Sequence, residues 1–169
     1  MEVDSGVKGV DDKIRKKLRI FFWIMFGVYL ILLCYFLFFA EITGRTYLER
    51  TYHYNLVPLR EIGRFLKYRE TLGFTAVFLN LAGNVLAFVP YGMMLPLLAH
   101  RCRGFWHVTL LSFEFSLLVE VIQLASKVGS FDVDDLLLNT IGGIIGYLCY
   151  LLTRAFVNRF LRGNKTDET

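Results

Sequence analysis

A chain of 169 residues that is 55% hydrophobic and 16% aromatic, with a mean hydropathy of +0.47, is too apolar for an ordinary soluble domain. The net charge of +4 does not indicate a nucleic-acid-binding protein, because the basic residues are not gathered into one aromatic-laced stripe. The three cysteines, Cys34, Cys102 and Cys149, are too widely separated for a metal motif, so we expect free thiols.

Four apolar segments follow one another along the chain, and each has about the 20 residues that one membrane-spanning helix needs. The first is too long for the apolar core of a cleaved signal peptide, so we expect a retained anchor. The sequence therefore predicts an all-α membrane protein, a four-helix transmembrane bundle over 19–157 with polar segments at 1–18 and 158–169. The predicted spans are 20–40, 74–98, 105–125 and 136–156.

Basic residues predict the orientation of these spans. If the N-terminus lies inside, the cytoplasmic segments hold twelve of the nineteen Lys and Arg residues, the long first loop holds six, and the last loop holds only Lys127. By the positive-inside rule, we expect both chain ends in the cytoplasm.

The long outer loop, at about 41–73, is predicted to contain an amphipathic helix. Apolar residues recur there at helical spacing among charged ones. Such a helix could lie flat on the outer surface of the membrane or pack on top of the bundle. The apolar residues are Leu59, Ile62, Phe65 and Leu66, and the loop also has tyrosines suited to the headgroup level at Tyr47, Tyr52, Tyr54 and Tyr68.

A short internal repeat links the second and fourth spans. The segment 79–83 has the pattern Leu-Asn-x-x-Gly, and the segment 138–142 has the same pattern. Two helical hairpins in parallel repeat would produce this relation, and so would coincidence.

Polar side chains interrupt the apolar spans, where they are costly and usually functional. They fall in pairs three or four residues apart, which places each pair on one face of its helix. At about 1.5 Å of rise per residue, all of them lie in the outer half of the bilayer or at its edge. The sequence therefore predicts one polar pocket that opens outward, formed by Asn80, Asn84, Glu120, Gln123, Asp135 and Asn139.

Structural roles for the same residues stay open. Asp132 could cap the fourth helix, and the aspartates at 134–135 could complement its dipole. The asparagines could link helices by hydrogen bonds, and Gly142 with Gly146 could form a close-packing seam. Glu120 is harder to explain in this way, because a carboxylate in hydrocarbon must be paired, hydrated or protonated.

Most enzyme and cofactor templates are absent from the sequence. His53, His100 and His107 are predicted on opposite sides of the membrane and cannot form one zinc site. We expect no cofactor. A divalent metal held by Glu120, Asp132 and Asp135 remains an alternative.

Six short motifs, in this order and spacing, resemble the VanZ-like family, which is named after a teicoplanin-resistance accessory protein. They are Asn-Leu-Val-Pro-Leu at 55–59, Asn-x-x-Gly-Asn at 80–84, Phe-Val-Pro-Tyr-Gly at 88–92, Glu-x-x-Gln at 120–123, Phe-Asp-Val-Asp-Asp at 131–135 and Asn-Thr-Ile-Gly-Gly at 139–143. Ser130 stands where many members carry an arginine. The resemblance implies a bacterial cytoplasmic-membrane protein associated with glycopeptide resistance in some members, without a settled mechanism.

The favoured function is a non-enzymatic envelope factor. Its outward pocket would bind a lipid, a lipid-linked cell-wall precursor or a lipoglycopeptide, with Asn55, Arg60 and Asp132 as further candidate ligand contacts beside the pocket residues. One alternative is an intramembrane enzyme in which Glu120 and Asp135 act as acid and base on a lipid-linked substrate. Another is a small transporter or flippase. Membrane lipids are expected partners, nucleic acid is not, and homo-oligomerisation is left open.

Overall fold

The computed structural model describes residues 3–44, 54–127 and 130–166. This part of the chain is almost entirely helical. The helices are α1 (Val3–Gly44), α2 (Arg60–Lys67), α3 (Arg69–Leu72), α4 (Phe74–Leu98), α5 (Phe105–Ser126) and α6 (Val133–Thr166); a 3₁₀ turn covers His100–Arg103, and two short strands are β1 (Tyr54–Asn55) and β2 (Phe131–Asp132).

Four of these helices are long and apolar enough to cross a membrane, which confirms the predicted bundle. Their candidate spans are Lys16–Phe38, Asn80–Leu98, Phe105–Ser126 and Val133–Arg159. The first and last helices extend beyond the predicted spans into the polar ends of the chain, because neither contains a proline that would stop it. The predicted headgroup residues Tyr47 and Tyr52 lie outside the described residues.

The two ends of the bundle have different connections. At one end β1 pairs with β2 in parallel, with Tyr54 opposite Phe131 and Asn55 opposite Asp132; this is the strand end. At the other, the 3₁₀ turn joins α4 to α5; this is the turn end. Because consecutive spans alternate in direction, α4 and α6 begin at the strand end and α5 finishes there.

The central helix is α6, which packs most extensively on α4 and also on α5. Its glycines bring the backbones together. A Cβ atom at Gly142 would overlap the carbonyl oxygen of Val85, and one at Gly146 would overlap that of Val89. The predicted close-packing seam is therefore confirmed, and it follows the general use of small residues between membrane helices.

Helix α1 lies at the edge of the bundle. Of its described side chains, Phe26, Leu33 and Leu37 are buried, in one cluster with Phe88 and Tyr91 of α4. Most of its other described apolar side chains are exposed, as expected for a helix that faces lipid. So narrow an attachment leaves a groove between α1 and α4.

The predicted amphipathic loop helix is present as α2. Ile62 and Phe65 are half-buried, whereas Leu66 is exposed. The helix contacts α4 and α6. These contacts favour a helix attached to the top of the bundle over one that only lies on the membrane.

Packing does not follow the short repeat. A Cβ atom at Gly83 would meet nothing within 4 Å, whereas at the corresponding Gly142 it would collide with α4. The most extensive pairing joins α4 to α6, the second and fourth spans, and not the helices within either hairpin. The structure therefore gives the two-hairpin arrangement no support.

This difference makes Gly142 and Gly83 a matched pair for testing the seam. We expect Gly142→Ala to destabilise the folded protein by about 1–3 kcal/mol, because the new methyl group meets rigid backbone. Gly83→Ala has open space and should instead stabilise α4 by about 0.5–1 kcal/mol. Thermal unfolding of both variants in detergent measures the difference, and equal melting temperatures would contradict the seam.

Candidate functional site

A polar cavity of about 110 Å³ lies near the strand end of the bundle. Its polar lining consists of the six residues that were predicted to cluster: Asn80, Asn84, Glu120, Gln123, Asp135 and Asn139. Phe36 and Leu37 of α1 complete the wall. The structure thus brings the six together, and their role in ligand binding stays a prediction.

Helix geometry explains why these side chains converge. Each of α4, α5 and α6 contributes two residues, spaced three or four apart and therefore on one face. The pairs on α4 and α6 fall in the first three turns of their helices, and the pair on α5 falls in its last two. All three therefore reach the same depth below the strand end.

Hydrogen bonds connect the cavity wall across helices. The amide of Asn84 donates to Asp135 at 2.5 Å, linking α4 to α6. That of Gln123 donates to the Leu37 carbonyl at 3.3 Å, linking α5 to α1. These contacts support the interpretation of polar residues as links between helices, so the cavity is also a structural element.

Glu120 is the most buried acid of the wall, with 2% of its surface exposed. Its Oε2 accepts the backbone N–H of Asp132 at 2.8 Å. The carboxylate thereby joins the end of α5 to the turn that leads into α6. This local contact fixes the position of the side chain beside the cavity.

One polar atom of the wall has no hydrogen-bond partner among the described residues. Asn139 is 1% exposed, and its Nδ2 donates to the Ser116 hydroxyl at 2.9 Å, but its Oδ1 accepts nothing there. An unpaired buried carbonyl costs roughly 1–3 kcal/mol. Such an atom beside a polar cavity indicates a missing donor, from water or from a ligand.

Asn55 and Asp132 lie beside the polar cavity and do not line it. The Asn55 amide donates to Asp132 Oδ1 at 3.1 Å, and the same oxygen accepts the Asp134 N–H at 2.8 Å. Asp132 therefore caps α6, as the capping interpretation expected. Burial raises the pKa of the Asp132 carboxyl, and these two hydrogen bonds oppose that rise. Asn55 and Asp132 thus form a clasp between β1 and β2, and their ligand contacts stay a prediction.

Asp134 has a role that sequence reasoning missed. Its carboxylate is 1% exposed and accepts three backbone N–H groups at the start of α2, from Leu59 at 2.5 Å, Glu61 at 2.8 Å and Ile62 at 3.1 Å. The residue that precedes α2 at its N-cap position, Leu59, has no side chain that could cap the helix. Because no local side chain can accept the first N–H groups of α2, these groups need an acceptor from elsewhere in the chain. That need was the only sign in the sequence of the role of Asp134.

Three charged residues of the described chain do not line the polar cavity. Arg60 is exposed at the start of α2 and does not line it, so its predicted ligand contact is not supported. Arg64 pairs with Glu61 at 2.6 Å. Glu114 is exposed on α5 and does not line the cavity either.

The three-carboxylate metal alternative finds no support. Among the described residues, no three His, Cys, Asp or Glu side chains lie close enough to hold a metal ion. Asp132 is committed to the clasp, and Glu120 and Asp135 already accept hydrogen bonds. His53 lies outside the described residues.

An apolar groove of about 400 Å³ runs between α1 and α4 next to the polar cavity. Its lining includes Leu32 and Leu33 of α1 with Leu86 and Pro90 of α4. Phe36 lines both the groove and the polar cavity. A ligand with one polar and one apolar part could therefore occupy the two spaces at once.

The part of the chain that matches known proteins includes this site. The model of the VanZ/LLP1 family matches residues 26–154, which include the polar cavity, the clasp and the groove. Protein VanZ of Enterococcus faecium is 31% identical over 85 residues, which is 50% of this chain and 52% of that protein. The chain thus matches about half the length of this curated relative. No solved structure matches the chain.

Proposed function

The chain belongs to the VanZ/LLP1 family, and from that membership we propose that it is a bacterial cytoplasmic-membrane protein connected with resistance to teicoplanin-type glycopeptides. It acts by binding the polar part of an envelope amphiphile in the polar cavity. The observation that carries this proposal is a polar cavity within the spans, with a buried Asn139 Oδ1 that lacks a donor among the described residues.

The size of the spaces limits the ligand. A cavity of about 110 Å³ holds a few water molecules or one small polar group, and not a whole antibiotic or lipid. The neighbouring groove, at about 400 Å³, is suited to an apolar chain. A lipid, a lipid-linked cell-wall precursor or a lipoglycopeptide has both parts.

The chemistry of the wall favours a ligand with hydrogen-bond donors. Glu120, Asp135 and the Asn139 carbonyl oxygen present acceptors, and none of the lining residues is basic. Hydroxyl and amine groups of sugars or peptides match these acceptors, whereas a phosphate group would face two carboxylates.

The orientation is part of the proposal. The distribution of basic residues favours both chain ends in the cytoplasm. The strand end then faces outward and the turn end, with Arg101 and Arg103, faces inward. In that orientation an envelope ligand reaches the polar cavity from the outer leaflet.

An intramembrane enzyme is the second candidate, and one observation favours it. Glu120 and Asp135 come from different helices and line the same cavity, as an acid and base pair would. A transporter has less support, because its only direct sign was the repeat, which the packing of Gly83 and Gly142 does not follow.

Cysteine accessibility tests orientation and ligand together. In a variant with the three native cysteines replaced by alanine, Asn80→Cys would place a thiol at the cavity wall, on an exposed position. We expect an impermeant maleimide to label it in intact cells and not to label Arg101→Cys. A lipoglycopeptide, or depletion of lipid-linked precursor, should change the labelling rate at least twofold.

Two outcomes would contradict the proposal. Labelling of Arg101→Cys from outside would show that the polar cavity faces the cytoplasm. If neither treatment changes the labelling rate of Asn80→Cys, the result would contradict the binding of an envelope ligand in the polar cavity.

A further inference from the structure

A second cavity, of about 280 Å³, lies at the turn end, far from the polar cavity. Two arginines line it, Arg103 from the 3₁₀ turn and Arg154 from α6. The rest of the wall is mostly apolar, with Met93, Leu97 and Val157, and it also includes Tyr150, Thr153 and Asn158. This cavity is referred to below as the arginine cavity.

The arginine cavity has a positive charge that nothing in the described chain neutralises. Arg103 donates from Nε to the Pro96 carbonyl at 3.4 Å, which holds the side chain under the last turn of α4. Arg154 has no hydrogen-bond or ion-pair partner among the described residues. No acidic residue lines the cavity.

Depth places these arginines at a membrane surface. Arg154 follows Val133, the first residue of the last candidate span, by 21 residues. At about 1.5 Å per residue this is roughly 32 Å along α6, close to the thickness of the hydrocarbon core, about 30 Å. The guanidinium groups therefore lie at the level of lipid phosphates, and the apolar wall lies at the level of acyl chains.

We propose that the arginine cavity is a binding site for an anionic phospholipid. The two guanidinium groups bind the phosphate, and an acyl chain packs on Met93, Leu97 and Val157. Arginine suits this role because its planar donors match phosphate oxygens. Because both arginines are positively charged, the site prefers phosphatidylglycerol, which has a net negative charge, to a zwitterionic lipid of equal chain length. The proposal is independent of the ligand of the polar cavity.

Lipid binding to the full-length protein tests this assignment. Native mass spectrometry in neutral detergent would titrate phosphatidylglycerol and phosphatidylcholine with identical chains. We expect Arg154→Gln to weaken phosphatidylglycerol binding about tenfold, the loss of one charge-assisted contact. Arg101→Gln removes the same charge from an exposed position that does not line the cavity, and should change binding less than twofold.

The comparison variants make each outcome decisive. Arg154→Lys keeps the charge without the planar donors and should weaken phosphatidylglycerol binding about threefold. This variant tests the site if Arg154→Gln fails to fold. Equal losses for Arg101→Gln and Arg154→Gln, or equal binding of the two lipids, would overturn the site. Displacement of phosphatidylglycerol by inorganic phosphate at equal concentration would identify a soluble anion and overturn the lipid assignment.

Discussion

Replacing Asp134 with asparagine should destabilise the protein by about 3 kcal/mol and release α2 from the bundle. The carboxylate accepts three N–H groups from Leu59, Glu61 and Ile62 while almost fully buried. Asparagine has a single acceptor oxygen, and its NH₂ group would face donors. Bonds to a charged acceptor are about twice as strong as neutral ones, so the loss exceeds that of one ordinary hydrogen bond.

Two measurements separate release of α2 from general unfolding. Thermal melting in detergent reports total stability, and hydrogen exchange of the α2 amides reports the local contact. Glu70→Gln is the control, because it makes the same change of charge at an exposed position near the strand end and should stay within 0.5 kcal/mol. Normal protection of the α2 amides in Asp134→Asn would show that Asp134 does not anchor the helix.

The bundle and its polar cavity could be predicted because both depend on local periodicity. Apolar length identifies a span, and a spacing of three or four residues fixes which polar groups share a face. Counting residues from each span end then gave a common depth for Asn80, Glu120 and Asn139. Nothing beyond helix geometry was needed to bring them together.

The capping role of Asp132 could be predicted, but the distant partners of the three aspartates could not, because neighbouring residues on a helix point about 100° apart. Asp132 faces the clasp, Asp134 faces α2, and Asp135 faces α4 through Asn84. Sequence spacing offers no way to assign these three directions. The directions of Asp132 and Asp134 depend on how the loop before α2 returns to the bundle, in contacts more than 70 residues away along the chain, and that of Asp135 depends on α4, 51 residues away.

The charge of Glu120 is expected to be essential for protection against teicoplanin-type antibiotics. Glu120→Gln keeps the shape of the side chain and one oxygen that can still accept the Asp132 N–H. The variant should therefore fold and melt like the parent, while cells that carry it lose protection to the level of cells without the protein. A neutral amide forms weaker bonds to a ligand donor and cannot exchange a proton.

Glu114→Gln is the matched control for this result. It changes the same residue type on the same helix, at an exposed position outside the polar cavity, and should leave protection unchanged. If Glu120→Gln folds and protects as well as the parent, the ionised carboxylate is not needed and the enzyme alternative must be dropped. Loss of protection with normal melting would agree with both a ligand-binding site and an enzyme. The variant Asp135→Asn then distinguishes the two functions. If the polar cavity only binds its ligand, Asp135→Asn leaves the essential Glu120 carboxylate in place and should keep partial protection, whereas an acid and base pair should lose all of it, because both members are required for turnover.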